Sequence, residues 1–148
     1  MLQGENHIEI EAPPEDCYGL VVQLDRYPEW QSQVLRAHVI ERDGEGRPVV
    51  VETVSDARVR QIRYRLRYDH DPPHRMSWTF IDGDVKELSG EYRFEAIDGG
   101  RTRATFALAV DPGRRLGLIL RGPLIGKVRD YVMGATLEEL KAEVESRR

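Results

Sequence analysis

Six tyrosines, two tryptophans and four histidines are the side chains of this 148-residue chain that combine a ring with a polar atom. Their spacing decides what chemistry they can do. Tyr64, Trp78 and Tyr92 recur at alternate positions among Leu66, Met76, Leu88, Phe94, Phe106 and Leu108. A buried Tyr or Trp brings a large apolar surface and one polar tip that needs a partner. An inward row of this kind either packs as solid core or lines a pocket for an apolar molecule, with hydroxyls such as those of Tyr64 and Tyr92 supplying selectivity. His38, His70 and His74 are scattered, the last two flanking Pro72 and Pro73, and read as exposed. No His–acid–nucleophile or metal-ligand spacing connects them, so no metal or cofactor is expected. Glu52 and Asp56 are candidates for an acid/base pair, but a charged residue on an edge-side strand is ordinarily solvated. The pattern points to binding ahead of catalysis.

A second group is electrostatic. Arg114, Arg115, Arg121, Lys127 and Arg129 follow one another with no acid between Asp111 and Asp130, and they flank Leu116, Leu118, Ile119 and Leu120. Basic residues around an exposed apolar segment suit docking on an anionic membrane or gating of a cavity. The alternative is a loop that packs its leucines on the domain. Tyr27, Leu116, Ile119, Leu120, Arg121 and Lys127 are the candidate gate or docking residues, with Trp30 beside Tyr27. Arg58, Arg60, Arg63, Arg65 and Arg67 form another basic run, which alternation places mostly on a wet sheet face. That face lacks interleaved exposed aromatics and the net charge is −4, so nucleic acid is not an expected partner.

The elements that must position these residues follow from periodicity. With 40% hydrophobic and 32% charged residues and a mean hydropathy of −0.54, residues 1–148 are expected to form one globular domain. No apolar run approaches the roughly 18 residues of a membrane span. The first residues lack the pattern of a secretory leader, and Cys17 has no disulfide partner, which reads as cytoplasmic. Residues 7–12 alternate as a strand and stop at Pro13 and Pro14; two short helices follow, over 15–24 and from Pro28. Strands are predicted over 35–42, 49–56, 59–68, 76–80, 88–94 and 104–110, separated by Asp, Gly and Pro turns. Short connections imply antiparallel neighbours with one covered face. On the wet face, the Arg63, Arg65, Arg67 row and the Glu87, Glu91, Glu95 row attract if they lie close.

From Gly122 the chain reads as one long helix with two apolar sides. Leu124, Ile125, Val128, Tyr131, Val132 and Ala135 lie on one, and Met133, Leu137, Leu140 and Val144 nearly opposite. A surface helix needs only one apolar stripe, so other structure must enclose this one. Val128, Tyr131, Val132 and Ala135 are expected to face a cavity and the second set to anchor the helix on the sheet, with Gly134 marking a close approach.

This order resembles the helix-grip fold of the START and polyketide-cyclase superfamily (SRPBCC). Residues 12–30, APPEDCYGLVVQLDRYPEW, resemble its opening through Asp25, Tyr27, Pro28 and Trp30. Residues 78–112 look like the coenzyme Q-binding and oligoketide-cyclase branch through Asp82, Gly83, Gly90, Tyr92 and Phe94. The resemblance implies an α+β domain in which a curved antiparallel sheet of about seven strands wraps a long C-terminal helix, with two short helices after strand one. It further implies a cavity between sheet and helix that carries a lipid, isoprenoid quinone or polyketide-like compound. Trp30, Tyr64, Leu66, Met76, Trp78, Leu88, Tyr92, Phe94, Phe106, Leu108, Val128 and Val132 would then bind the ligand. Two alternatives are a cyclase or dehydratase using the same cavity and an interaction module like the ribosome-associated toxins of the branch. Aromatase-cyclases place polar and basic residues along the cavity, whereas the inward positions here read as nearly all apolar, which favours carriage.

Overall fold

A computed structural model describes residues 2–58, 60–114, 118 and 123–148. The chain runs β1 (Leu2–Ile10), α1 (Pro14–Val21), a 3-10 turn (Leu24–Glu29), β2 (Val34–Arg42), β3 (Pro48–Asp56), β4 (Gln61–Asp71), β5 (Arg75–Gly83), β6 (Glu87–Ile97), β7 (Arg101–Asp111) and α2 (Pro123–Ser146). The strands form one seven-stranded sheet in the order β1-β7-β6-β5-β4-β3-β2, every neighbouring pair antiparallel. Sequential hairpins build β2 to β7, and β1 returns to pair with β7. This is the curved sheet and long C-terminal helix of the helix-grip fold, as the strand order predicts.

β1 begins five residues before its apolar alternation does, because an unbroken ladder from Leu2↔Val110 to Ile10↔Thr102 carries it. Backbone pairing needs no side-chain pattern, so that extension is silent in the sequence. β4 likewise continues past Tyr68 to Asp71, opposite Arg75 across the Pro72–Pro73 turn. Register shifts in β2 and between Arg65 and Leu66 of β4 mark bulges, which bend strands and deepen curvature. β5 and β6 pair only from Arg75↔Arg93 to Trp78↔Gly90. Gly90 is required there: a Cβ would lie 2.4 Å from the Ala107 carbonyl oxygen and 2.8 Å from the Trp78 ring.

The two apolar sides of α2 are explained by its path. Val128 and Thr136 are buried and Val132 half-buried along one stripe, while Met133, Leu137, Leu140 and Val144 are buried along a second stripe that continues towards the C-terminal end. The two stripes are neighbours around the helix and overlap over residues 133–136, so the buried face shifts from the first to the second as the helix crosses the sheet. Tyr131 and Ala135, expected to face a cavity, are half-buried and flank the first stripe. Gly134 marks no close approach: a Cβ there meets nothing within 4 Å.

The charged face is also partnered differently from the sequence expectation. β5 lies between β4 and β6, so Arg63 and Arg65 pair with Glu52 of β3 and Asp82 of β5, while Glu91 takes Arg75 and Arg93. Such exposed pairs are worth about 0–1 kcal/mol each.

Candidate functional site

Between the sheet and the first half of α2 lies a cavity of about 150 Å³. Inward positions of β4, β5, β6 and β7 bring Tyr64, Leu66, Tyr68, Trp78, Leu88, Tyr92, Phe106, Leu108 and Val110 to it, and α2 adds Val128 and Val132. Trp78 sits at the centre of the ring cluster, with centroids 5.9 Å from Tyr68, 5.6 Å from Tyr92 and 6.0 Å from Phe106. Ile62, Leu108, Val110 and Val132 of the lining are half-buried. Leu2, Val34, Ala57, Val85 and Pro112 complete the apolar lining.

One wall is polar. Gln31, Gln33, Thr53 and Ser55 line the cavity from the segment after the 3-10 turn and from β3. The Ser55 and Tyr64 hydroxyls are 2.7 Å apart, and the Gln31 amide donates a long bond, 3.4 Å, to Tyr92. Gln33 Nε2 donates to Thr136 Oγ1 at 2.7 Å, and Thr136 in turn donates to the Val132 carbonyl oxygen at 2.7 Å. Burial pushes the Tyr64, Tyr68 and Tyr92 hydroxyls above the ordinary tyrosine range, so all three stay protonated at neutral pH. The inward surface is therefore not nearly all apolar, a correction to the sequence reading. Thr53 and Ser55 share the inward alternation of Val51, a signal the sequence did carry. Gln31 and Gln33 lie in a segment with no period to read.

Three of the expected ligand residues sit elsewhere. Met76 and Phe94 face inward but near the other end of the sheet, where Tyr18 of α1 meets Phe94 edge-on. Alternation assigns a face, not a distance along the strand. Trp30 is buried against Tyr27, ring centroids 5.1 Å apart, outside the cavity lining, and its Nε1 has no partner among the described residues. Tyr27, expected at a gate, lines the cavity and donates to the Val21 carbonyl oxygen at 2.7 Å; burial pushes its hydroxyl well up. Lys127 is exposed beside Val128. Leu116, Ile119, Leu120 and Arg121 lie outside the described residues, and Leu118 is 59% exposed.

Glu52 and Asp56 do not converge. Glu52 lies on the outer face, 3.0 Å from Arg65, while Asp56 reaches the cavity rim and accepts the Arg58 N–H. His70 is also not simply exposed: its Nε2 lies 2.6 Å from the Pro48 carbonyl oxygen and its Nδ1 2.6 Å from Tyr18 Oη. A carbonyl only accepts, so Nε2 carries the proton and Nδ1 accepts from Tyr18, whose hydroxyl burial pushes up to about 12. His70 ties α1 to the sheet.

A family model described as polyketide cyclase/dehydrase and lipid transport matches residues 1–145. The chain belongs to that family. Among curated proteins none matches the sequence. Solved structures share the fold of this chain at low identity. A START superfamily protein from Mycobacterium smegmatis superposes with a TM-score of 0.87 at 15% identity, over 100% of both chains. A protein from Thermus thermophilus gives 0.84 at 22% identity over 98% of each. The Zhui aromatase/cyclase from Streptomyces sp. R1128 gives 0.78 at 19% identity, covering 98% of this chain and 94% of the other. The family fold is thus of the START and polyketide-cyclase ligand-binding type, and the cavity lies where sheet and helix meet.

Proposed function

We propose that this chain binds a hydrophobic small molecule with a few polar atoms, of the lipid, quinone or polyketide-like kind, and carries it unchanged. The observation that supports this reading is the lining itself: apolar rings and aliphatic side chains on most sides, neutral hydrogen-bonding groups on one. Among the described residues the only ionisable carboxylate of the lining is Asp56 at the rim. The tyrosines are held neutral, far from the pKa near working pH that an efficient general acid or base needs. Apolar burial at about 25 cal/mol per Å² drives association, and the polar wall orients the molecule.

Size sets how the ligand is held. A dry cavity of about 150 Å³ accepts one benzene ring, whereas sites enclosing a whole drug-sized molecule span about 300–1,000 Å³. Only the ring end of a larger ligand fits the enclosed part; the remainder extends past Ile62, Val110 and Val132. Loading and release at an anionic membrane is part of the proposal, supported by exposed Leu118, Arg114 and Lys127.

Native mass spectrometry of purified protein, followed by solvent extraction, tests the reading: an apolar compound leaves with the protein and is recovered chemically unchanged. Protein that is always empty and takes up no hydrophobic ring compound on titration overturns it. Vesicle binding that is unchanged by Ile119→Asp with Arg121→Glu removes the membrane part.

A further inference from the structure

Gln33 is 8% exposed, lines the cavity, and keeps one polar atom without a partner. The amide is fixed by a chain of donors. The Thr136 hydroxyl gives its single proton to the Val132 carbonyl oxygen, 2.7 Å away and one helical turn back, so towards Gln33 it can only accept. The group 2.7 Å from it must therefore be Nε2, and Oε1 is the atom left over. The main chain of Gln33 is anchored as well, its carbonyl oxygen accepting the Asp56 N–H at 2.8 Å. Oε1 is thus a preset, buried acceptor with no donor among the described residues. A buried acceptor left unmade is costly, and native proteins rarely keep one. The neighbouring polar groups bond elsewhere, Ser55 with Tyr64 and Gln31 with Tyr92, and none of them lies within hydrogen-bond distance of Oε1.

We propose that Gln33 Oε1 is the acceptor for a hydroxyl group of the ligand, so that the cavity selects ring compounds carrying a hydroxyl over equally apolar ones without it. This rests on the cavity being a ligand site and adds which chemistry that site prefers. The ring lies among Trp78, Tyr92 and Phe106, and the hydroxyl proton completes the series hydroxyl to Gln33, Gln33 to Thr136, Thr136 to Val132. Thr136 is the positioning residue: it holds the amide in the one orientation that offers oxygen.

Calorimetric titration with 2-naphthol and with 2-fluoronaphthalene, matched in size but lacking the donor, tests the assignment. The wild-type protein should bind 2-naphthol at least about tenfold more tightly. Gln33→Leu should erase that preference while still binding 2-fluoronaphthalene. Equal affinities in the wild type, or a preference that survives Gln33→Leu, overturn the role of Gln33 and leave the carrier reading standing. Binding of neither compound overturns both. Should Gln33→Leu not fold, Thr136→Val and Thr136→Ser decide: Val, which frees the amide to turn, should lower the preference several-fold, and Ser, which keeps the hydroxyl, should retain it. A preference unchanged by Thr136→Val overturns the proposal.

Discussion

The two halves of α2 meet the same sheet in opposite ways. Its second half, with Leu137, Leu140 and Val144, closes a solid end of the molecule together with Ile10, Ala12 and Cys17. Its first half, with Val128 and Val132, spans the hollow end. Close packing at one end allows the other to leave a void, because the fold does not depend on filling it. Stability and binding are thereby separated along a single helix.

The largest test of that separation is a matched pair of truncations. Leu140→Ala removes a fully buried side chain from the solid end and should cost about 2–5 kcal/mol in urea unfolding, without changing ligand affinity per folded molecule. Leu88→Ala at the hollow end should cost less than half as much, since its side chain already borders space, and should alter ligand affinity. Equal losses would break the comparison. Next is Gly90→Ala behind the Trp78 ring, where the added methyl meets backbone and that ring; a loss of about 1–3 kcal/mol and, through a displaced Trp78, a changed cavity are expected from unfolding and titration together. Smaller is Gly134→Ala at the junction of the two halves. With open space at its Cβ, it should stabilise by about 0.5–1 kcal/mol in thermal or urea unfolding.

The smallest effect concerns the solid end and acid. The Glu145 carboxyl is held below its ordinary value of 4.5 by the hydrogen bond from Lys141, then by the Glu11 N–H. A carboxylate with a depressed folded pKa stabilises fully above its unfolded pKa, and that contribution fades as pH falls through the folded value. Glu145→Gln should therefore lower stability slightly at pH 7, by under about 1 kcal/mol, and narrow the gap between midpoints measured at pH 7 and pH 3.

How far the sequence reached follows from the same geometry. Period-two alternation specified the sheet, its order of hairpins and the inward set Tyr64, Leu66, Trp78, Leu88, Tyr92, Phe106 and Leu108. It could not separate Leu88 from Met76 or Phe94, because all face inward and only the position of α1 and α2 divides cavity from core. Thr53 and Ser55 share the parity of buried Val51 and are legible as inward, whereas the charged residues of β3, Glu52 and Asp56, have the opposite parity. Gln33 was not readable at all, since its place depends on Thr136, more than a hundred residues away. His70 looked exposed beside two prolines because the partner that covers it, Tyr18, comes from another element.

The tryptophans carry a practical consequence of their own. One of the two, Trp78, forms the cavity wall, and the other, Trp30, sits outside it with an indole N–H that bonds nothing among the described residues. Replacing Trp30 by Phe removes a buried donor that had no acceptor, which offsets part of the packing lost with the larger ring. The remaining indole is then a single intrinsic fluorophore, placed by the fold against the space it would report on, and its emission becomes an optical gauge of whether that space is filled.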